Sequence, residues 1–557
     1  MTTQVAKLDI PDFLRQEFLT RATIRVLDIE VRSYPEETNY IVFVAEADLP
    51  SAAQVGNELD DALSSSTPRS FVVVRKAPAA LATSTAPRGV TKGVQDLRAT
   101  DLIRLIIARS RVSLAQPSLS YVRDAQANLS AVTTGRHHLV FGRRGAGKTA
   151  LLVEAQQQLK QEGAITAWTN IQSLRNEPPS RVVLYILDDL LTATLSSQSI
   201  VRPESIISVD LNYLFNAVRE QLQAGTRDDR QVSALVPRVQ RALGRFLDVE
   251  GTSLYVFLDD FYYIPRDEQP RVLDLLHGCV RDSNAWLKVA SIRHLTRWFQ
   301  SSPPLGLQTI HDADIIDLDV TLQDPRRAQE FLESVLSKYA AQTGIAGLPR
   351  IFSTTALDRL VLASGAVPRD YLVLASSAIV KAQGRQNASL VGAQDVNQAA
   401  GDAAGAKLQE LEDDMASNVG TAERTLAALK IVREFCLEEK SYTYFLVGYR
   451  DKEEQAATYN LLTDLMDVRL VHLLDSGVSD PHAAGQRSEA FMLDLSQYSG
   501  LRLKQRIHVL DFSKGHVLSK QTRTATPAKV GDTPRQVISI LRAAPVLKLS
   551  RLGTAAQ

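Results

Sequence analysis

One octapeptide constrains this chain more than anything else in it. Gly142-Arg143-Arg144-Gly145-Ala146-Gly147-Lys148-Thr149 fits the pattern G-x-x-x-x-G-K-[ST]. It follows the apolar run Leu139-Val140-Phe141 and precedes a helix-like run over residues 150–155, the strand–loop–helix setting the pattern needs. Glycines let backbone N–H groups wrap around phosphate oxygens that a side chain would obstruct. The helix that follows points its positive end at the anion. The spelling therefore predicts a phosphate cradle over Gly142–Ala150, with Lys148 on the β- and γ-phosphates and Thr149 on Mg²⁺.

A chain of 557 residues is too long for a single core, so several domains are expected. Lys+Arg and Asp+Glu are equal at 63 each, so no global charge bias points to nucleic acid. The only two cysteines, Cys279 and Cys436, lie far apart. That excludes a disulfide framework or a Cys-rich zinc site and fits a reducing compartment. No apolar leader and no run of 18 apolar residues is present, so the expectation is a cytoplasmic protein without a membrane span.

Patterning divides the chain. Residues 1–80 read as a small N-terminal α+β domain: strands over 22–31 and 39–46, a helix over 52–63, a strand over 70–74. Residues 81–114 read as an Ala/Pro/Ser/Thr-rich linker followed by a helix. Residues 115–324 hold apolar strands at 164–171, 253–261, 285–292 and 313–320 alternating with helical stretches. That alternation predicts a parallel sheet with helices on both faces. Residues 325–420 read as a helical lid, with helices over 325–343, 355–364 and 370–383. Residues 421–500 read as three helices (422–438, 442–447, 452–465) and a hairpin pairing 468–473 with 490–495, the order of a winged helix. Residues 501–557 form a tail with 11 Lys/Arg against 2 Asp/Glu and little periodicity.

Asp259 and Asp260 end the apolar run Leu254-Tyr255-Val256-Phe257-Leu258. Phosphoryl transfer needs positioning, a metal and a base. The first acid of such a pair orders the Mg²⁺ shell and the second polarises the attacking water, so Thr149 and Asp259 are the expected metal ligands and Asp260 the expected base. Alone, the pair also reads as a strand-end turn with solvated acids. Ser291 and Arg293 end the next strand, where a polar or cationic side chain can sense the γ-phosphate; the alternative is an ordinary surface arginine. Arg369, in Gly365-Ala366-Val367-Pro368-Arg369, reads either as a second sensor or as a solvated helix start. Arg143 and Arg144 reach phosphate or point outward, and the outward reading is the simpler. His137-His138 has no metal-ligand spacing around it, and Cys436 reads as core. The helix over 452–465 carries an acidic excess, which argues against deep reading of a DNA major groove. The tail serves either for nonspecific phosphate contacts or as a solubilising extension.

With these residues in hand, the chain resembles the AAA+-like ATPases of the STAND and origin-recognition/initiator groups. The resemblance is carried by Gly142–Thr149, by Leu258-Asp259-Asp260-Phe261-Tyr262, by the strand ending at Arg293, by Gly365–Arg369 and by the winged helix, over about residues 115–500. The lid spelling departs from the usual Gly-x-Pro of STAND proteins by one residue. The resemblance implies an α/β P-loop NTPase with a helical lid and winged helix that binds ATP with Mg²⁺. It implies slow hydrolysis to ADP and phosphate, with nucleotide state coupled to a protein partner or to self-assembly. The alternative is a DNA-associated initiator or loader using the winged helix and residues 501–557.

Overall fold

The computed structural model describes residues 10–33, 37–63, 69–77, 93–110, 127–197, 200–225, 228–414, 419–479, 486–500, 503–513, 516–522, 529–531 and 533–553. The expected linker over 81–92 lies outside them. The chain forms two units, residues 123–319 and residues 1–122 together with 320–557.

The N-terminal body of the larger unit is built from α1 (Ile10–Ala22), β1 (Asp28–Ser33), β2 (Glu37–Val44), α2 (Leu49–Leu63) and β3 (Arg69–Lys76). β1 pairs antiparallel and β3 parallel with the central β2. Leu14, Phe18 and Ala22, four residues apart on α1, bury one helix stripe against Val42 and Val44. Helix α1 was not anticipated, because its apolar residues are interleaved with charge. After it comes α3 (Leu97–Arg109), capped by Asp96, whose carboxylate accepts from Arg98 N.

The P-loop unit is a five-stranded sheet with α4 (Asn128–Val132), β4 (His137–Phe141), α5 (Lys148–Gln161), β5 (Ile165–Asn170), α6 (Pro179–Ser196), α7 (Ile206–Gln223), α8 (Asp229–Glu250), β6 (Leu254–Asp259), α9 (Gln269–Val280), β7 (Ala285–Ser291) and β10 (Ala313–Asp317). Between β7 and β10 lies the small antiparallel ribbon of β8 (Phe299–Ser301) and β9 (Pro304–Gly306). The sheet order is β10-β4-β7-β6-β5, and all four pairings are parallel. Every residue of β4 and β6 is buried, whereas the edge strand β5 alternates and the edge strand β10 is only partly buried. That contrast is what burial on both faces does to central strands. The order places one strand, β7, between the loop-bearing β4 and the acid-bearing β6. This is the α/β P-loop NTPase fold with an additional central strand. Lys288, wholly buried on β7, donates to Thr134 O at 2.7 Å and Arg136 O at 2.7 Å and meets His138 Nδ1 at 2.9 Å. These bonds tie the turn that feeds β4 to the sheet, and burial pulls the amine down to about 7.

The rest of the larger unit runs α10 (Pro325–Gln342), α11 (Thr354–Ala363), α12 (Pro368–Gln383), α13 (Ala393–Asp414), α14 (Val419–Glu434), β11 (Tyr444–Gly448), α15 (Tyr449–Glu454), α16 (Ala456–Asp467), β12 (Val471–Ser479) and β13 (Arg487–Leu493), then β14 (His508–Ser513), β15 (His516–Gln521), β16 (Lys529–Gly531) and α17 (Pro534–Leu541). Ile103 and Ile106 of α3 share one continuous core with Leu336, Leu374, Phe445, Phe491, Val509 and Leu541. The helix that precedes the P-loop in sequence therefore packs with the helices that follow it.

Three expectations are corrected here. The segment 442–447, read as a short helix, is strand β11, which pairs with β13 and makes the sheet β11-β13-β12. Its run Tyr-Phe-Leu-Val carries β-branched and aromatic residues that fit a buried strand as well as a helix. The helix read over 452–465 is two, broken at Gln455. The segment 501–557, read as having little periodicity, folds as the three-stranded sheet β14-β15-β16 and α17, which carries a Thr533/Gln536 capping box. It adds Phe512, Val517 and Leu547 to the core.

A buried ionic cluster holds Gly365–Arg369 in place. Gly365 has φ +56°, and an added Cβ would lie 2.1 Å from His472 Nδ1. His472 Nε2 meets Asp494 Oδ2 at 2.8 Å; Lys407 bonds the same carboxylate at 2.8 Å; and Asp370, just after the motif, pairs with Arg469 at 3.1 Å. The Lys407 ammonium and the His472 hydrogen bond hold the Asp494 carboxyl well below its usual range despite complete burial.

Candidate nucleotide site

The site lies where the fold puts three backbone ends together: the loop after β4, the end of β6 and the end of β7. The loop turns through Gly145 (φ +80°) and Gly147 (φ +103°), a region open to glycine and costly for other residues. Over Gly147 a Cβ would meet nothing within 4 Å, so the loop leaves open space above its backbone. Gly147 then caps α5, whose first residues are Lys148 and Thr149. The 14-residue helix directs its free N–H groups and positive end into that space.

Lys148 is buried, and its ammonium donates to Gly142 O at 2.8 Å and Arg143 O at 3.2 Å, bent back across the loop. Thr149 Oγ1 donates to Asp259 Oδ2 at 2.8 Å. Asp259 is 1% exposed, and burial, then the adjacent Asp260 charge, raises its carboxyl to about 7. Asp260 follows in the left-handed region at φ +56° and starts the turn Phe261–Tyr263. Phe261, fully buried, anchors the turn.

Sequence reasoning placed Lys148, Thr149, Asp259 and Asp260 in one site, and the fold brings these four together. Ser291 is buried and shares a 2.5 Å hydrogen bond with Thr296, which turns it to an intramolecular partner. Arg293 pairs with Asp317 at 3.2 Å and lies 5.7 Å over the Phe141 ring, at the base of the loop. Arg369 is the second residue of α12 and belongs to the larger unit. The loop arginines both have protein partners. Arg143 N and Nε bond Asp319 at 2.8 and 3.3 Å, and the Arg144 guanidinium lies 5.4 Å over the Tyr262 ring. Asp319 is a residue the sequence reading missed. It lies two residues past the end of β10, beside the loop.

The donor set fits a hard divalent cation: one hydroxyl and one carboxylate, both oxygen, beside a cradle of backbone N–H groups. Among the described residues no cluster of three or more His, Cys, Asp or Glu could hold a metal by itself. No described helix is long and apolar enough to cross a membrane.

No protein family and no curated protein matches the sequence. Solved structures that align with it include the Orc1 protein of Aeropyrum pernix in complex with DNA, at 15% identity over 67% of this chain and 90% of that one, TM-score 0.34. Cdc6p from Pyrobaculum aerophilum aligns at 15% identity over 74% and 93%, TM-score 0.28. NtrX from Brucella abortus aligns at 14% identity over 75% and 81%, TM-score 0.29. The fold assignment rests on this chain's own sheet order and loop geometry.

Proposed function

We propose that the chain is a Mg²⁺-dependent ATPase of AAA+-like type that works as a slow, nucleotide-driven conformational switch coupled to a protein partner or to self-assembly. The observation that carries this reading is the 2.8 Å bond between Thr149 Oγ1 and Asp259 Oδ2, at the mouth of a glycine loop and beside a buried lysine. Thr149 and Asp259 hold the Mg²⁺, which when bound neutralises charge on the phosphate oxygens. Lys148 trades its two carbonyl partners for phosphate oxygens. Asp260 orients and deprotonates the attacking water. Arg293 and Arg369 sense the γ-phosphate, Arg369 from the lid. ATP over GTP follows from the resemblance to the AAA+-like ATPases.

The second reading is an initiator- or loader-type ATPase that acts on DNA. We read α14, β11, α15, α16 and the β12–β13 hairpin as a winged helix, a module that can dock on duplex DNA. Residues 501–557 add an excess of basic side chains. Against deep groove reading, residues 449–467 carry five acids and two basic residues.

Turnover of ATP by wild type and Asp260→Asn, with and without duplex DNA at two salt concentrations, separates the readings. Mg²⁺-dependent turnover lost in Asp260→Asn is expected. A DNA-dependent rise that salt abolishes selects the DNA-acting form; turnover indifferent to DNA selects the protein-partnered switch. Equal rates for wild type and Asp260→Asn would overturn the ATPase reading.

A further inference from the structure

The two arginines in the P-loop brace it on opposite flanks. Arg143 holds the β10 side through Asp319. Arg144 reaches the β6 side, where its guanidinium lies 5.4 Å over the ring of Tyr262, two residues past Asp260. Tyr262 packs in turn on Tyr263, centroids 4.6 Å apart, and Tyr263 N donates to Asp260 O at 3.2 Å. A short path of contacts therefore runs from the loop to the residue read as the base.

We propose that Arg144 is a positioning residue for Asp260, acting through the face of the Tyr262 ring. The inference rests on the ATPase reading of the site. Asp260 sits in the left-handed region, which aspartate can adopt, and the contacts around it select that conformation. Phe261 fixes one side of the turn through the core. Tyr262, the next residue, packs on Tyr263 and under the Arg144 guanidinium. Burial and the Asp260 charge hold the Tyr262 hydroxyl well above the phenol range, so the ring stays neutral and offers its face to the cation. A loop displaced on one flank then shifts the turn, and with it the carboxylate.

The test measures ATP turnover, nucleotide affinity and melting temperature of the full chain for Arg144→Ala, Tyr262→Leu, Tyr262→Phe, Asp260→Asn and the double variant Arg144→Ala/Asp260→Asn. Misplacement of a catalytic group costs up to about 100-fold in rate. Arg144→Ala and Tyr262→Leu are expected to lower kcat by about 10- to 100-fold with nucleotide affinity and melting temperature near wild type. Tyr262→Phe keeps the ring face and is expected to lose less kcat than Tyr262→Leu. Arg144→Ala added to Asp260→Asn costs nothing further, because both act through one carboxylate. A weaker nucleotide affinity at unchanged kcat would make Arg144 a phosphate ligand and overturn the proposal. So would wild-type kinetics in Arg144→Ala, or a full additional loss in the double variant. Equal turnover by wild type and Asp260→Asn would instead remove the ATPase reading, and this role with it.

Discussion

Thr149 Oγ1 and Asp259 Oδ2 stand 2.8 Å apart, joining the first turn of the P-loop helix to the end of a strand two places away in the sheet. The bond spans β7, so it depends on the sheet order and not on local sequence. It also orients a carboxylate that the fold otherwise penalises, since Asp259 is buried beside a second acid.

That penalty predicts a trade of stability for function. The Asp259 carboxyl titrates near 7 in the folded chain, against about 4 for an unfolded aspartate. Between those values the folded chain binds a proton that the unfolded chain does not, so stability rises as pH falls from about 7 to about 4. Above 7 the charged form is a standing cost. Asp259→Asn is expected to raise the melting temperature of the nucleotide-free protein by about 2–4 °C at pH 8 and to change it little at pH 5. The same variant loses Mg²⁺-dependent nucleotide binding. Thermal melts at both pH values and nucleotide titrations check the two halves.

Lys148 predicts an affinity effect. Its ammonium is held by two loop carbonyls at 2.8 and 3.2 Å, which keeps it within the loop. A charge-assisted hydrogen bond contributes roughly 1.5–3 kcal/mol. Lys148→Ala should therefore weaken nucleotide binding by about 10- to 100-fold, measured by calorimetric titration, with the circular dichroism spectrum unchanged.

How much was legible in the sequence follows from range. The loop, the strands at 254–259 and 285–291 and the helices over 325–342, 354–363 and 368–383 were readable because glycine spacing, unbroken apolar runs, amphipathic periodicity and Pro at a helix start are local signals. Strand β11 was not, since Tyr444–Gly448 becomes a strand only by pairing with β13, some 40 residues on. Helix α1 and the β14–β16 sheet escaped for the same reason: their apolar residues are sparse, and their burial is fixed by distant partners. At the site, residue identities were local, but the partners of Arg143 and Arg144 were not. Asp319 is 176 residues from Arg143 in sequence and neighbours it only because β10 lies beside β4.

Two glycines of the larger unit should respond in opposite directions to one added methyl group. Gly365 has φ +56° and His472 Nδ1 2.1 Å from where the methyl would sit, inside a buried ionic cluster. Gly405 lies within α13 with nothing within 4 Å of its would-be Cβ. Gly405→Ala should stabilise by about 0.5–1 kcal/mol through the helix preference of alanine. Gly365→Ala must displace His472 from Asp494 and should destabilise by about 3 kcal/mol or more, the scale for breaking a buried ion pair. Chemical denaturation of both variants, followed by circular dichroism, measures the signs.

Arg293 offers the cleanest separation of structure from function in the site. Its pair with Asp317 is 3.2 Å long, but the two side chains are 55% and 46% exposed. An exposed pair of this kind contributes at most about 1 kcal/mol. If Arg293 were only a surface arginine, Arg293→Ala would change neither folding nor turnover. If it senses the γ-phosphate, its cation contributes where charge develops and where water is excluded, and losing such a donor costs about 100-fold or more in rate. The expected outcome is a melting temperature within about 2 °C of wild type with kcat reduced about 100-fold. Asp317→Asn frees the arginine without removing it, so it should leave kcat within a few fold of wild type. A kcat loss in Asp317→Asn as deep as in Arg293→Ala would mean that the pair matters as a strut for the loop, and not Arg293 as a sensor.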